Sequence, residues 1–305
     1  MENIKDFPVV RLALLGVLEV LKKDTNCLHK LWQNPYKIYK NKKQRIIEEP
    51  CEEIVDYQKI ITKVLQKEFE RPDYCYSGWK MLNNIKNAEQ HLNQLETITM
   101  DISHFYPNTK EKFIRKFFKE EIGLSGVDLE LILKITSYND HLPTGASTSS
   151  ILSTLVHKTL FDTIYEKMKK QEIKFTLYVD DMTLSANKHI SDNCIKYIKN
   201  VLNTHALFLK SAKIKRFGYK GALITGAKTT QSGELQVRFK AGHEVVEMLR
   251  AKKIADMSIE ELQLLIAKIG YINQFPKKQF VTTKNIAVKQ LKKLHELSRK
   301  ENENA

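Results

Sequence analysis

The stretch that most limits what this chain can fold into is residues 173–186, Ile-Lys-Phe-Thr-Leu-Tyr-Val-Asp-Asp-Met-Thr-Leu-Ser-Ala. Its β-branched and aromatic residues predict one strand over 173–179 and a second over 182–186. Asp180 and Asp181 lie between them, at the tip of a predicted hairpin. Two adjacent carboxylates repel each other, and a divalent cation with hard oxygen ligands would relieve that repulsion. Taken alone, the pair is explained equally well by an ordinary Asp-rich turn.

A second short apolar stretch, residues 97–107, carries Asp101 where a buried residue is expected. An unpaired buried carboxylate is costly, so this position calls for a partner. If this strand lies beside the hairpin, Asp101 joins Asp180 and Asp181. Three converging carboxylates suit two-metal phosphoryl transfer, with ions roughly 3.5–4 Å apart. Because successive strand residues face opposite ways, we expect Asp101 and Asp180 to bind the ions and Asp181 to support them.

These stretches resemble the motifs of reverse transcriptases. Tyr178-Val-Asp-Asp is similar to the family's Tyr-x-Asp-Asp signature, and Asp101 with Phe105 and Tyr106 is similar to its first catalytic aspartate block. Residues 142–150, Leu-Pro-Thr-Gly-Ala-Ser-Thr-Ser-Ser, resemble its Leu-Pro-Gln-Gly-x-x-x-Ser-Pro block. The three blocks occur in the family's order.

The 142–150 block departs from the family pattern at two positions. Thr144 stands where Gln is usual, and Ser150 stands where Pro is usual. The side-chain contact that the family's Gln makes is therefore in doubt in this chain.

Two further elements resemble those of retron reverse transcriptases. Asn87-Ala-x-x-His91 matches an Asn-Ala-x-x-His element, and Ile224-Thr-Gly226 is similar to a Val-Thr-Gly element. Asn and His can hydrogen-bond bases or ribose hydroxyls, but a capped helix with a hydrogen-bonded His explains the first element as well. Short apolar strands ending in Gly are common, so the position of the second element is what makes it informative.

The resemblance implies an α+β right-hand polymerase, whose antiparallel palm sheet carries the Tyr-Val-Asp-Asp hairpin. Its expected parts are an N-terminal helical segment (1–34), fingers (35–96), a palm with interleaved fingers helices (97–233) and a helical basic thumb (234–305). Leucine and isoleucine spacing predicts one long helix over about 149–170, and the basic helical segment is expected from about residue 234.

The implied activity is that of a retron reverse transcriptase, an RNA-directed DNA polymerase. Such an enzyme binds a structured non-coding RNA and copies part of it into single-stranded DNA, starting from a ribose 2′-hydroxyl. The expected setting is antiphage defence with a separate effector protein. Two alternatives stay open. One is a defence or abortive-infection polymerase that makes DNA without its own RNA template. The other is a non-catalytic scaffold that holds nucleic acid and an effector.

The resemblance also assigns roles to individual residues. The catalytic residues are Asp101, Asp180 and Asp181, and the ligands of two Mg²⁺ ions, for which Mn²⁺ could substitute, are Asp101, Ile102, Asp180 and Asp181. Deoxynucleoside triphosphates are expected to contact Lys40, Arg45, Phe105, Tyr106, Thr144, Gly145 and Lys213. RNA, including the RNA–DNA product, is expected to contact Asn87, Ala88, His91, Ile224, Thr225, Gly226, Lys289, Lys292 and Lys293. Tyr106 is the expected steric gate against ribonucleotides, although packing beside Phe105 would also explain it.

Composition agrees with a polyanionic partner. Lys and Arg total 50 against 36 Asp and Glu, giving a net charge of +14 that favours phosphate contacts. The four cysteines are scattered with no Cys-x-x-Cys pair, which favours reduced thiols in a cytoplasmic protein. The apolar stretch 9–21 contains Arg11 and Glu19 and is too short to span a bilayer, so no membrane association is expected.

Overall fold

The computed structural model of the chain describes residues 8–303, with side chains up to residue 297. Helices and strands are interspersed along the chain, and six of the described strand pairs are antiparallel. The α-helices are α1 (Pro8–Lys23), α2 (Thr25–Gln33), α3 (Glu52–Glu68), α4 (Asn84–Glu89), α5 (Phe105–Asn108), α6 (Glu111–Lys116), α7 (Gly126–Thr136), α8 (Ser149–Val156), α9 (Lys158–Lys170), α10 (Asp192–Asn203), α11 (Phe239–Ala251), α12 (Ile259–Ile272) and α13 (Val281–Glu303). The strands are β1 (Tyr36–Lys40), β2 (Ile46–Pro50), β3 (Glu96–Ser103), β4 (Lys174–Tyr178), β5 (Asp181–Ala186), β6 (Phe208–Leu209), β7 (Lys215–Phe217), β8 (Leu223–Ile224), β9 (Ala227–Thr229) and β10 (Leu235–Val237).

The chain forms two compact units. The first unit contains residues 8–83 and 96–216, and the second contains 84–95 and 217–303. The segment 84–95, which carries the Asn-Ala-x-x-His element, therefore belongs to the same unit as the C-terminal third of the chain.

The first unit is built on a five-stranded sheet with the order β4-β5-β3-β6, in which β7 also pairs with β3. The strands predicted at 173–179 and 182–186 form the hairpin β4–β5, and β3 lies against β5 as the two apolar stretches suggested. Most residues of β3 and β5 are buried, because helices such as α9 and α10 pack their apolar residues against this sheet.

The other apolar core of the first unit is formed by helices whose apolar residues recur on one face. Helix α1 buries Val10, Leu14, Leu18 and Leu21, which recur on one face of the helix. Helix α3 buries Ile54, Ile61 and Leu65 in the same way, and both helices contribute to one apolar cluster with α7 and α8. Preceding α3, the basic segment 36–50 forms the antiparallel hairpin β1–β2.

The single long helix predicted over 149–170 is instead two helices, α8 and α9, which meet at His157. The backbone of His157 leaves helical geometry (φ −107°, ψ 18°), and its buried ring takes part in a chain of hydrogen bonds. The Thr109 hydroxyl donates to the Phe105 carbonyl at 2.9 Å, so it accepts from His157 Nε2 at 3.1 Å. His157 Nδ1 is then an acceptor for His205 Nδ1, at 2.9 Å.

The second unit combines a small sheet, β10-β9-β8, with helices α4 and α11–α13. Strand β10 occupies 235–237, so the helical segment expected from about residue 234 begins at Phe239 instead. Helix α12 starts with a capping box between Ser258 and Glu261 and buries Leu262, Leu265, Ile269 and Ile272 in a separate apolar cluster. Among the described helices, none combines the length and the apolar character that crossing a membrane requires.

Candidate active site

The Asp-Asp hairpin has a strained two-residue turn. Tyr178 pairs with Asp181, which leaves Val179 and Asp180 as the turn residues. Val179 has a φ of 56°, a left-handed conformation that is costly for a β-branched residue. Two hydrogen bonds hold this turn: Val179 N donates to Ser77 Oγ at 2.8 Å, and Ile102 N donates to the Asp180 carbonyl at 2.9 Å. Strain that neighbouring elements maintain in this way is typical of functional sites.

The sheet brings Asp101 to the same place. In the register of β3 and β5, Asp101 is the direct partner of Asp181. Residues opposite each other on adjacent strands share a face of the sheet, so the Asp181 side chain belongs with that of Asp101. Strand alternation does not separate Asp180 from Asp181, because Asp180 lies in the turn.

The charges of these carboxylates are only partly compensated. Burial, followed by the neighbouring Asp180 and Asp101 carboxylates, raises the pKa of Asp181 to about 6. The pKa of Asp180 is raised for the same two reasons, first burial and then the charge of Asp101. The charges of Lys210 and Arg45 at Asp180, and of Lys213 and Lys210 at Asp181, offset only part of this rise.

Asp101 differs because two lysines contact it. Lys210 Nζ lies 2.6 Å from Asp101 Oδ2, and Lys213 Nζ donates to Asp101 Oδ1. Burial by itself would raise the pKa of this carboxyl, but the two lysine hydrogen bonds outweigh burial and lower it. The hydrogen bond to Asp101 likewise raises the pKa of Lys213.

The carboxylates supply hard oxygen donors of the type that Mg²⁺ prefers. However, Lys210 and Lys213 already contact Asp101. The described side chains contain no group of three His, Cys, Asp or Glu residues placed to hold a metal ion. The only partly compensated charge of Asp180 and Asp181 nevertheless fits a site that takes up cations.

A cavity of about 690 Å³ opens beside Asp180, within the size range of small-molecule sites. It lies between the β1–β2 hairpin, helix α5 and the turn before β5. Of the residues predicted to bind nucleotide, Arg45, Phe105, Tyr106 and Thr144 line it; Glu48, His104, His141 and Lys210 do so as well. Arg45 is close enough to Asp180 to influence its pKa.

The other three predicted nucleotide contacts lie elsewhere. Lys40 is an exposed residue of β1 opposite Ile46, and Lys213 contacts Asp101. Gly145 has a φ of 138°, and a Cβ atom there would lie 2.7 Å from the Glu48 carbonyl oxygen. The close approach that requires glycine at this position is therefore to strand β2 of the protein itself.

Tyr106, the predicted gate, lies in the wall of the cavity. Its ring is stacked beside Phe105, with centroids 6.0 Å apart, and it lines the cavity next to Asp180. Burial and then the Asp180 charge raise the pKa of the Tyr106 phenol, and a hydrogen bond with the Ser150 side chain opposes this rise. The serine that replaces the family's Pro thus contacts the predicted gate.

Sequence reasoning missed Lys210, Glu48 and His141 as cavity residues. Lys210 directly follows β6, and the pairing of Ile102 with Leu209 places it beside Asp101. The basic run 207–217 was a visible signal, but only the strand register distinguishes Lys210 from Lys213.

Known proteins resemble this chain in sequence. It is 27% identical to the retron Se72 reverse transcriptase of Salmonella heidelberg over 217 residues, which cover 68% of this chain and 57% of that enzyme. It is 23% identical to the retron Ec83 reverse transcriptase of Escherichia coli over 220 residues, covering 68% of this chain and 67% of that enzyme. The chain is related to retron-type reverse transcriptases. No protein-family model matches it.

Among solved structures, apo telomerase from Candida tropicalis, truncated from its C-terminal domain, is similar with a TM-score of 0.48 and 12% sequence identity. The match covers 67% of this chain and 55% of that chain.

The two elements that resemble those of retron-type reverse transcriptases lie together in the second unit. Asn87 Nδ2 is 3.4 Å from Thr225 Oγ1, and Thr225 Oγ1 donates to the Asn84 carbonyl at 3.1 Å. Asn84 Nδ2 in turn donates to the Thr225 carbonyl at 3.0 Å. Helix α4 and the β8–β9 turn are thus joined by hydrogen bonds from side chains of both elements.

Most of the residues named in these two elements are buried. Ala88 and Ile224 belong to an apolar cluster, and the side chains of Asn87 and His91 are 0% and 1% exposed. Thr225 and Gly226 at the turn are partly accessible, and the lysines predicted to bind RNA, Lys289, Lys292 and Lys293, are exposed on α13. The buried Oδ1 atom of Asn87 has no hydrogen-bond partner among the described residues.

Proposed function

We propose that this chain is an RNA-directed DNA polymerase of the retron type, with the right-hand arrangement of fingers, palm and thumb. The observation that carries the proposal is the group formed by Asp101, Asp180 and Asp181 beside a cavity lined by Arg45 and Tyr106. Within this arrangement, the β1–β2 hairpin belongs to the fingers, the five-stranded sheet to the palm, and helices α11–α13 to the thumb.

Asp101, Asp180 and Asp181, together with Ile102, would hold two Mg²⁺ ions, and Mn²⁺ would substitute. Bound there, the ions would make the attacking hydroxyl more acidic and stabilise charge on the leaving pyrophosphate. The raised pKa values of Asp180 and Asp181 support this assignment, because they mark carboxylates that bound cations would stabilise in their ionised form.

The substrate is a deoxynucleoside triphosphate bound in the cavity. Arg45 binds its phosphates, since a guanidinium offers a planar fork of donors. Lys213 is near enough to Asp180 and Arg45 for their charges to affect its pKa, so it also contributes positive charge where phosphates would bind. The Tyr106 ring lies under the ribose and excludes a 2′-hydroxyl.

The template is a structured non-coding RNA, part of which becomes single-stranded DNA primed from a ribose 2′-hydroxyl. The exposed lysines of α13 bind RNA phosphates without regard to sequence. The partly accessible Thr225–Gly226 turn contributes RNA selectivity, and the buried Asn87 supports the shape of this turn through its contact with Thr225. We place the enzyme in antiphage defence, acting with a separate effector protein.

The proposal is tested by expressing the chain with its neighbouring genomic sequence and sequencing the nucleic acid that copurifies. A unique RNA–DNA hybrid is expected with the wild-type chain. Asp180→Asn with Asp181→Asn should abolish the DNA and retain the RNA. The control is Asp56→Asn, which changes an exposed side chain of α3.

DNA without a matching RNA would favour the defence or abortive-infection polymerase that makes DNA without its own RNA template. Undiminished DNA synthesis by the double variant would contradict the assignment of the carboxylates.

A further inference from the structure

We propose that Glu48 and His141 act as a charge-neutral clamp that positions one wall of the nucleotide cavity. The clamp joins strand β2 to the segment 142–145, and its role in nucleotide binding rests on the function proposed above. Both residues line the cavity, and their side chains are 8% and 14% exposed.

The hydrogen bonds of His141 show how the clamp is charged. His141 Nδ1 lies 2.7 Å from the Asn139 carbonyl, which can only accept, so Nδ1 carries a proton. His141 Nε2 lies 3.0 and 3.2 Å from the two carboxylate oxygens of Glu48. A proton must lie on Nε2 or on the carboxyl group, because two lone pairs would otherwise face each other. The pair therefore has no net charge.

Glu48 also holds Thr144 from two directions. The Glu48 carboxylate accepts from Thr144 N at 2.9 Å, while Glu48 N donates to the Thr144 carbonyl at 2.8 Å. The glycine at position 145 then passes close to the Glu48 carbonyl. Position 144 is where the family's Gln is replaced, and here backbone atoms rather than a long side chain connect this segment to β2.

His141 itself belongs to a rigid turn. Tyr138 and His141 form a reciprocal pair of backbone hydrogen bonds around Asn139 and Asp140, whose φ values are 47° and 63°. This geometry is a tight hairpin turn. The Glu111 amide donates to the Asp140 carbonyl at 3.0 Å, and the Leu142 amide donates to the Thr109 carbonyl at 3.1 Å.

These contacts form a continuous connection across the cavity. It runs from the end of α5, which carries Tyr106, through the 138–141 turn to Glu48 and along β2 towards Arg45. Without His141, the Glu48 carboxylate would lose the partner that neutralises its charge. That charge would then face the cavity proposed to bind a deoxynucleoside triphosphate, which is itself negatively charged. Repulsion would then weaken nucleotide binding, because a charge left unpaired in a part-buried site is costly.

The test compares His141→Gln, Glu48→Gln and the double variant in DNA synthesis on an RNA template with a DNA primer. We expect His141→Gln to raise the KM for deoxynucleotides on the order of tenfold, with kcat changing less than about twofold. The double variant should return to within about threefold of the wild-type KM, because removing the Glu48 charge removes the repulsion. The matched control is Glu49→Gln, the same change at the exposed neighbouring residue of β2.

Equal KM values for His141→Gln and the double variant would overturn the clamp, as would an unchanged KM in His141→Gln. Thermal unfolding of the same four variants, together with the wild type, checks that they fold and reports the coupling of the pair without catalysis. If the wild type makes no DNA while Tm shows Glu48 and His141 to be coupled, the proposed function is overturned rather than the clamp.

Discussion

Asp101 and Asp181 lie directly opposite each other across the antiparallel strands β3 and β5, and their carboxylates share one face of the sheet. Two lysines neutralise Asp101, whereas burial and two neighbouring carboxylates leave Asp181 with its pKa raised to about 6. Asp181 is therefore an integral member of the candidate site and not a residue that faces away from it.

The first prediction follows from that pairing. Asp181→Asn alone should reduce DNA synthesis by about 100-fold or more, similar to Asp101→Asn. Each substitution removes one of the three carboxylates proposed to hold the ions that stabilise the charge developing in the reaction. Asp181→Asn should also raise Tm in metal-free buffer, because it removes the repulsion between the Asp181 carboxylate and those of Asp180 and Asp101. Primer extension and thermal unfolding measure the two effects. Near wild-type synthesis by Asp181→Asn would return this residue to a supporting role, and Asp56→Asn should change neither quantity.

The second prediction concerns sugar selection. Tyr106→Ala should raise incorporation of ribonucleotides relative to deoxynucleotides by about tenfold or more, because the ring would no longer collide with a 2′-hydroxyl. Single-nucleotide extension with matched ribo- and deoxynucleotides gives the ratio. Tyr219→Ala, at an exposed tyrosine of the second unit, serves as the control. An unchanged ratio in a folded, active Tyr106→Ala variant would assign Tyr106 to packing beside Phe105.

The third prediction separates affinity for RNA from selectivity. Changing Lys289, Lys292 and Lys293 to Ala should weaken binding to all RNAs and reduce the slope of log K against log salt by about two to three. The control triple, Lys59, Lys63 and Lys67 to Ala, removes the same charge from exposed positions of α3 and should change the slope much less.

Changing Asn87 and His91 to Ala should instead reduce the preference for the cognate RNA over a scrambled one. Both side chains are buried, so this effect would act through the shape of the β8–β9 turn, and Thr225→Val should reproduce part of it. Salt titrations with both RNAs distinguish the outcomes. If all variants lose affinity equally for the two RNAs while priming is intact, Asn87 and His91 have no role specific to retron RNA.

The fourth prediction is a pH dependence of stability. Burial, followed by the His205 charge, lowers the pKa of His157 to about 3 from 6.5. Between these values the unfolded chain binds a proton that the folded chain excludes, so the free energy of unfolding falls as pH decreases below about 6.5. His157→Gln should reduce this slope by up to about 1.4 kcal/mol per pH unit between pH 6 and 4.

Urea unfolding at several pH values measures that slope. The exposed His29 provides the control His29→Gln, which should keep the wild-type slope. A His157→Gln variant with the wild-type slope would show that His157 titrates normally in the folded chain.

Local patterns in the sequence determined much of the first unit. Runs of apolar, β-branched and aromatic residues located β3, β4 and β5, because strand preference depends only on nearby residues. The Asp-Asp turn and Asp101 were recognisable because carboxylates interrupt strands that otherwise read as buried. The break between α8 and α9 was missed, since His157 is compatible with a helix until its hydrogen bonds to Thr109 and His205 are known.

Only the tertiary structure decided which distant residues meet. Lys210 and Asp101 are 109 positions apart, Glu48 and His141 are 93 apart, and Asn87 and Thr225 are 138 apart. Strand register and the packing of separate segments bring each pair together, and neither leaves a periodic signal in the sequence. The sequence by itself therefore determined the local elements and the chemical character of the candidate site. The three-dimensional fold decided that Lys210, Glu48 and His141 belong to that site and that Asn87 and His91 are buried, because burial and charge pairing depend on contacts between segments far apart in the chain.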